Sequence, residues 1–170
     1  MRKELTTALA LLLFILVSTP AFAQEGTIEL GPGLVYGGQV EKLGLKLDGY
    51  YTINENIRAG VDLTYYFPET NSIGGTDVTS NFFTIDLLGN YIFYSEDEIS
   101  AYGIAGLNLA FASAKAGGNK TSNNEMGLTL GGGAEYALDF GDIFGELRVA
   151  GLGGDADQLV LGAGVRLKIQ

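Results

Sequence analysis

The sequence predicts an all-β protein, an eight-stranded antiparallel up-and-down transmembrane β-barrel preceded by a cleaved signal peptide. Three observations carry that prediction. Apolar and polar residues alternate with period two in eight separate runs. The connections between the runs alternate between short and long. The first 23 residues have the layout of an export signal.

In that leader, Arg2 and Lys3 precede an apolar run from Leu9 to Val17, and Ala21-Phe22-Ala23 supplies a small-residue exit. Cleavage after Ala23 makes Gln24 the first mature residue, so the expected organisation is a signal peptide over 1–23 and one barrel domain over 24–170. The apolar run is too short to favour a permanent spanning helix. With no Cys in the chain there is no lipid-acceptor thiol, no disulfide and no thiolate metal site.

The first run, residues 27–36, sets Ile28, Leu30, Leu34 and Tyr36 against Thr27, Glu29, Gly31 and Gly33, with Pro32 suggesting a kink or bulge. The second, 42–53, places Leu43, Leu45, Leu47, Tyr51 and Ile53 opposite Lys42, Lys46, Asp48, Tyr50 and Thr52. The third, 57–67, alternates without error: Ile57, Ala59, Val61, Leu63, Tyr65 and Phe67 against Arg58, Gly60, Asp62, Thr64 and Tyr66. In the fourth, 81–94, Phe83, Ile85, Leu87, Tyr91 and Phe93 oppose Thr84, Asp86 and Asn90, while Phe82, Leu88 and Ile92 blur the pattern.

The fifth run, 99–111, is the least polar. The sixth, 125–138, pairs Met126, Leu128, Leu130, Ala134, Tyr136 and Leu138 with Glu125, Thr129, Gly131, Gly133 and Glu135. The seventh sets Ile143, Leu147 and Val149 against Glu146 and Arg148. The eighth sets Leu159, Leu161, Ala163, Val165, Leu167 and Ile169 against Gln158, Gly162, Gly164, Arg166 and Lys168. A helical face would need apolar residues at i, i+3, i+4 and i+7, and these runs do not supply it. Connections at 54–56, 95–98 and 139–141 are short. Those at 68–80, 113–123 and 153–157 read as longer loops, and 37–41 is a short exception.

Alternation alone does not say which face looks inward. Runs of this length match tilted strands that cross a bilayer core in about 9–11 residues. On the apolar face, Tyr36, Tyr65, Phe67, Phe83 and Phe111 lie beside the longer loops, and Tyr51, Tyr91, Phe93 and Tyr136 beside the short turns. Two aromatic girdles flanking an aliphatic belt are the pattern of a lipid-facing exterior. The polar face then lines the lumen, where Glu29, Lys42, Lys46, Asp48, Arg58, Asp62, Asp86, Glu135, Glu146, Arg148, Arg166 and Lys168 are expected to meet as a structural charge network. Inward glycines (Gly31, Gly33, Gly131, Gly133, Gly162 and Gly164) leave room for neighbours such as Tyr50, Tyr66 and Phe144.

This pattern resembles the small outer-membrane β-barrel family that includes OmpX and the transmembrane domain of OmpA, over residues 26–169. The resemblance implies a Gram-negative outer-membrane location with both termini periplasmic. It also implies contact with outer-membrane lipid and lipopolysaccharide, insertion by the barrel assembly machinery, and a structural, adhesive or stress-related role. Members commonly end in an aromatic residue, whereas this sequence runs Val165-Arg166-Leu167-Lys168-Ile169-Gln170. No peptidoglycan-binding domain is expected, and so no anchoring role of the kind full-length OmpA has.

Twenty acidic against ten basic side chains give a formal net charge of −10, which argues against nucleic acid as a partner. Glycine is abundant (26) and proline scarce (3), and apolar residues are plentiful, which does not suit a disordered chain. The enzymes that the family includes resemble one another in using a His, and this sequence has none. Without His or Cys the usual nucleophile–base pairs cannot form, and Glu135 with Glu146 reads as part of the ion network. Gly131-Gly132-Gly133 lacks the Lys-Ser/Thr and helix of a phosphate cradle. Asp77, Asp155 and Asp157 lack the ligand series of a calcium loop. The expectation is therefore a non-enzymatic protein with no catalytic or metal residues and no cofactor. We expect a monomer whose loops 68–80 and 113–123 carry any surface ligand. Two alternatives stand beside it: a narrow pore or small-ligand transport barrel, and a soluble periplasmic lipocalin-like binding barrel with the apolar face inward.

Overall fold

The structure is a computed structural model and describes residues 26–73 and 76–169. The signal peptide expected over 1–23 lies outside the described residues. Eight strands follow one another: β1 (Ile28–Gly37), β2 (Lys42–Asn54), β3 (Ile57–Ile73), β4 (Thr76–Glu96), β5 (Ile99–Ala116), β6 (Asn119–Leu138), β7 (Gly141–Leu152) and β8 (Gln158–Lys168). Each pairs antiparallel with the next, and β8 returns to β1 through pairs such as Leu30 with Leu167 and Tyr36 with Leu161, closing the barrel. Closure leaves no free edge within the ring.

The period-two alternation dictates which face looks where. Leu34, Leu45, Leu63, Leu130, Leu147 and Leu161 point outward and are exposed, while Asp48, Asp62 and Arg166 point inward at 0% exposure. The exposed apolar side chains run round the whole barrel, far more than the few hundred Å² that a water-soluble monomer shows in one patch. The lipocalin-like alternative fails here, because it requires the opposite assignment of faces. A ring of apolar side chains outside and charge inside is the arrangement of a barrel solvated by lipid.

One end of the barrel carries the tight turns between β2 and β3, β4 and β5, and β6 and β7. At the other end the structure corrects two expectations. Residues 68–73 and 76–80, and 113–116 and 119–123, are strands, not loops. β3 and β4 continue pairing through Thr70 with Thr79 and Ser72 with Asp77, and β5 and β6 through Ser113 with Ser122 and Lys115 with Lys120. These stretches carry only small or isolated apolar side chains, such as Ala114, Ala116 and Val78, so they pair without the run of large apolar residues that marks a half-buried strand. Four strands therefore rise as a sheet above one side of the barrel. Pro68 sits in the one register shift of β3 against β4, where a residue without an N–H does least harm. Pro32, expected to make a kink or bulge, makes no bulge. The ladder to β8 omits Gly31 and Pro32 yet resumes in the same register, so the missing N–H is absorbed locally.

Candidate functional site

The interior is layered. At the end away from the turns, Val35, Tyr66, Phe82, Ala110, Ala150 and Val160 form an apolar layer, with the Tyr66 and Phe82 rings 5.3 Å apart. Nearer the turns, Tyr50, Leu88, Tyr102 and Ile104 form a second, with Ile92 against it. Phe82, Leu88 and Ile92, which blur the pattern of the fourth run, are thus inward residues of these layers. Their strand keeps its parity and simply carries apolar residues on both faces.

Arg166 of β8 is the hub of the charged region. Its guanidinium donates to Asp48 (3.0 Å), to Glu135 (3.0 Å), to the Tyr102 hydroxyl (2.9 Å) and to Glu146. Phe144 and Tyr50 flank it, with ring centroids 4.2 and 4.8 Å from the guanidinium carbon. A planar, weakly hydrated cation suits this place better than an ammonium, since it bonds at its edge and stacks on its faces. Lys46 of β2 bonds Glu146 and lies 3.3 Å from Asp48 and 3.1 Å from Asp62. Arg148 pairs with Asp62 at 2.7 Å. Toward the turn end, Arg58 bridges Glu29 and Glu135, each at 3.0 Å.

Nine of the twelve residues expected to meet in the lumen are therefore joined through ion pairs: Glu29, Lys46, Asp48, Arg58, Asp62, Glu135, Glu146, Arg148 and Arg166. Asp86 is also buried, but it stands apart. Neutral donors hold it, Thr129 at 2.7 Å and Asn108 at 2.9 Å, and among the described residues it has no ion-pair partner within 4 Å. Lys42 and Lys168 lie at the two rims. Lys42 donates to Ser80 at 2.7 Å, and Lys168 pairs with Asp142 at 3.2 Å.

Sequence reasoning missed Asp142, Asn108 and Tyr102. Asp142 shares parity with Glu146 and Arg148, and Asn108 is the one amide in the apolar fifth run, so both signals were present in the pattern. Glycine makes the packing possible. A Cβ at Gly133 would lie 2.7 Å from the Tyr102 ring, and one at Gly164 would lie 2.9 Å from Phe144. Among the described residues no three His, Cys, Asp or Glu side chains gather as a metal site.

Solved structures share this architecture. The N-terminal β-barrel domain of Pseudomonas aeruginosa OprF superposes with a TM-score of 0.67 at 13% identity, over 85% of this chain and 100% of that one. Neisserial surface protein A gives 0.59 at 23% identity, over 85% and 96%. Yersinia pestis Ail, the attachment invasion locus protein, solved with the heparin analogue sucrose octasulfate, gives 0.56 at 18% identity, over 85% and 100%. A search of curated proteins finds none that matches. At these identities the structures speak for the fold alone. The sequence profile of the outer membrane protein beta-barrel domain, however, matches residues 9–168. With a lipid-type exterior and an ion-filled interior on eight closed strands, the chain belongs to that family of bacterial outer-membrane barrels.

Proposed function

We propose that the protein is a non-enzymatic outer-membrane scaffold. Its barrel is a closed plug, and its working surface is the raised sheet made by the upper parts of β3–β6. The observation that carries this reading is the division of labour between the two parts. Two layers of buried apolar side chains and a buried ion network cross the barrel interior, whereas the raised sheet presents exposed Thr, Ser, Asn and Lys on strands continuous with the barrel wall. Rigid elements that carry polar surface into solvent are where recognition resides. The names of two proteins with this fold, a surface protein and an attachment protein, support a surface role. In this reading the chain is exported, cleaved after Ala23, inserted by the barrel assembly machinery and monomeric, with its tight turns in the periplasm.

The test exploits the lack of cysteine. Asn119→Cys on the raised sheet and Glu55→Cys in a tight turn are expressed from the full precursor. Intact cells are then treated with a membrane-impermeant maleimide. Labelling of Asn119→Cys alone, on protein whose gel mobility changes on boiling, is the expected result. Labelling of Glu55→Cys alone would reverse the orientation and remove the raised sheet from the surface.

A further inference from the structure

The turn between β1 and β2 faces the inner side of the raised sheet across the barrel mouth. Glu41 takes a left-handed backbone conformation in it (φ 52°), and Val40 packs against the apolar layer that contains Tyr66 and Phe82. Between this turn and the sheet lies a cavity of about 370 Å³. That volume is at the small end of ordinary ligand sites, which run from about 300 to 1,000 Å³.

The register lays out the far wall of the cavity as two rungs across three strands. Ser80, Ala114 and Thr121 pair in the upper rung, and Phe82, Ala112 and Asn123 in the lower. All share the inward parity of the buried Thr84 and Asp86. Phe82, only 9% exposed, forms the floor, whereas Ala112 and Ala114 above it are exposed. This wall is apolar and nearly flat, so a narrow hydrocarbon can lie along it.

Lys42 closes the near side and is the one cation of the lining. Its side chain is 13% exposed, and its ammonium donates to the Ser80 hydroxyl at 2.7 Å. Among the described residues the one carboxylate within 4 Å is that of Glu69, at 3.9 Å and 55% exposed. The close partner of this largely dehydrated charge is therefore a neutral oxygen, and an ammonium with three donors has two left to give. A single cation with Glu69 beside it balances one negative charge and not two.

We propose that the cavity binds a small monocarboxylate with an apolar body. Its carboxylate accepts from Lys42 and Ser80, and its hydrocarbon lies against Phe82, Ala112, Ala114 and Val40. A neutral apolar molecule would leave the Lys42 ammonium facing hydrocarbon, and a hydrophilic acid would gain nothing from the alanine wall. In the closed-plug reading the ligand is held at the mouth and goes no further.

The inference rests on the reading above for the raised sheet as the working face. Nanodiscs leave both ends of the barrel open to solvent, however, so binding is measured whichever way the protein faces in cells, and the two can fail separately. Folded mature protein in zwitterionic nanodiscs is titrated with hydrocinnamate and with hydrocinnamamide, which has the same hydrocarbon and no charge. Binding is read by saturation-transfer NMR against empty nanodiscs. A charge-assisted hydrogen bond to a part-buried cation predicts a preference for the acid of about tenfold at low ionic strength. Lys42→Gln loses that preference and Lys42→Arg keeps most of it. Ala112→Leu, which fills the lower rung, abolishes binding of both compounds, while Ser113→Leu on the outer face of the same strand leaves it unchanged. Heat-modifiable gel mobility checks that each variant is folded. Equal binding of acid and amide by the unaltered protein, or no binding above that of empty nanodiscs, would overturn the proposal. So would a preference that survives in Lys42→Gln, or binding indifferent to Ala112→Leu.

Discussion

Asp48 and Arg166 are 118 residues apart in the chain and bond at 3.0 Å across the inner face of β1, and the residue between them on that strand is Gly31. A Cβ on Gly31 would stand 2.0 Å from an Asp48 carboxylate oxygen and 3.0 Å from Arg166 Cγ. The absence of a side chain on β1 is thus what lets β2 and β8 reach each other. Gly31→Ala is expected to lower the unfolding free energy by about 1–3 kcal/mol through overpacking. Gly89→Ala, where the nearest atom to the new Cβ is at 3.8 Å, should stay within about 0.5 kcal/mol. Urea unfolding of the two variants in lipid vesicles makes the comparison.

Arg166→Met removes the cation that Asp48, Glu135 and Glu146 share. Breaking a buried ion pair from one side leaves uncompensated charge and typically costs about 3–5 kcal/mol. The same substitution combined with Asp48→Asn should recover part of that loss, because one orphaned charge is removed with its partner. A recovery of zero in the urea midpoint would mean that Asp48 is satisfied without Arg166.

The outer face should answer to depth rather than to packing. Leu47, midway along β2, is expected to tolerate Arg poorly, at a cost of about 2–4 kcal/mol. Ile53, beside the tight turn, should accept it for about 0–1 kcal/mol. Equal costs at the two sites would contradict the lipid-facing assignment of this strand.

In the closed-plug reading, Tyr66 and Phe82 at one level and Tyr50, Tyr102 and Phe144 with their ion pairs at another block the passage of hydrated ions. Planar bilayers containing the protein should therefore show a flat baseline without stable unitary steps. Reproducible steps would favour the pore alternative and point to rearrangement of the Lys46–Glu146–Arg166 cluster.

The barrel and its inside-out character were legible because lipid and lumen impose opposite demands on successive residues. Leu43 to Ile53 against Lys46, Asp48 and Tyr50 can be read without coordinates. The partners within the lumen were not legible. Nothing in the spacing says that Arg166 takes Asp48 and Glu135 while Asp86 receives only Thr129 and Asn108, since that depends on the stagger of strands around a closed ring. The raised sheet was hidden for a different reason. On the face where the barrel below carries Phe83 and Phe111 these stretches carry Thr79, Ser113 and Ser122, and the other face offers only Ala114, Ala116 and Val78 as apolar side chains, so pairing there leaves little hydrophobic signature. A polar paired strand and a polar loop look alike in composition.

Unequal strand length gives the molecule a front and a back. β3–β6 continue past the rim on one side only. Among the described residues the upper backbone of β3 finds no partner on β2 beyond Tyr66, and that of β6 finds none on β7 before Leu128. The barrel is thereby a vane, with one face of the raised sheet continuing its outer wall and the other continuing its inner wall. Crowding by other envelope proteins would then be felt by direction, and a neighbour arriving along either bare margin would meet hydrogen-bonding backbone, not a finished wall.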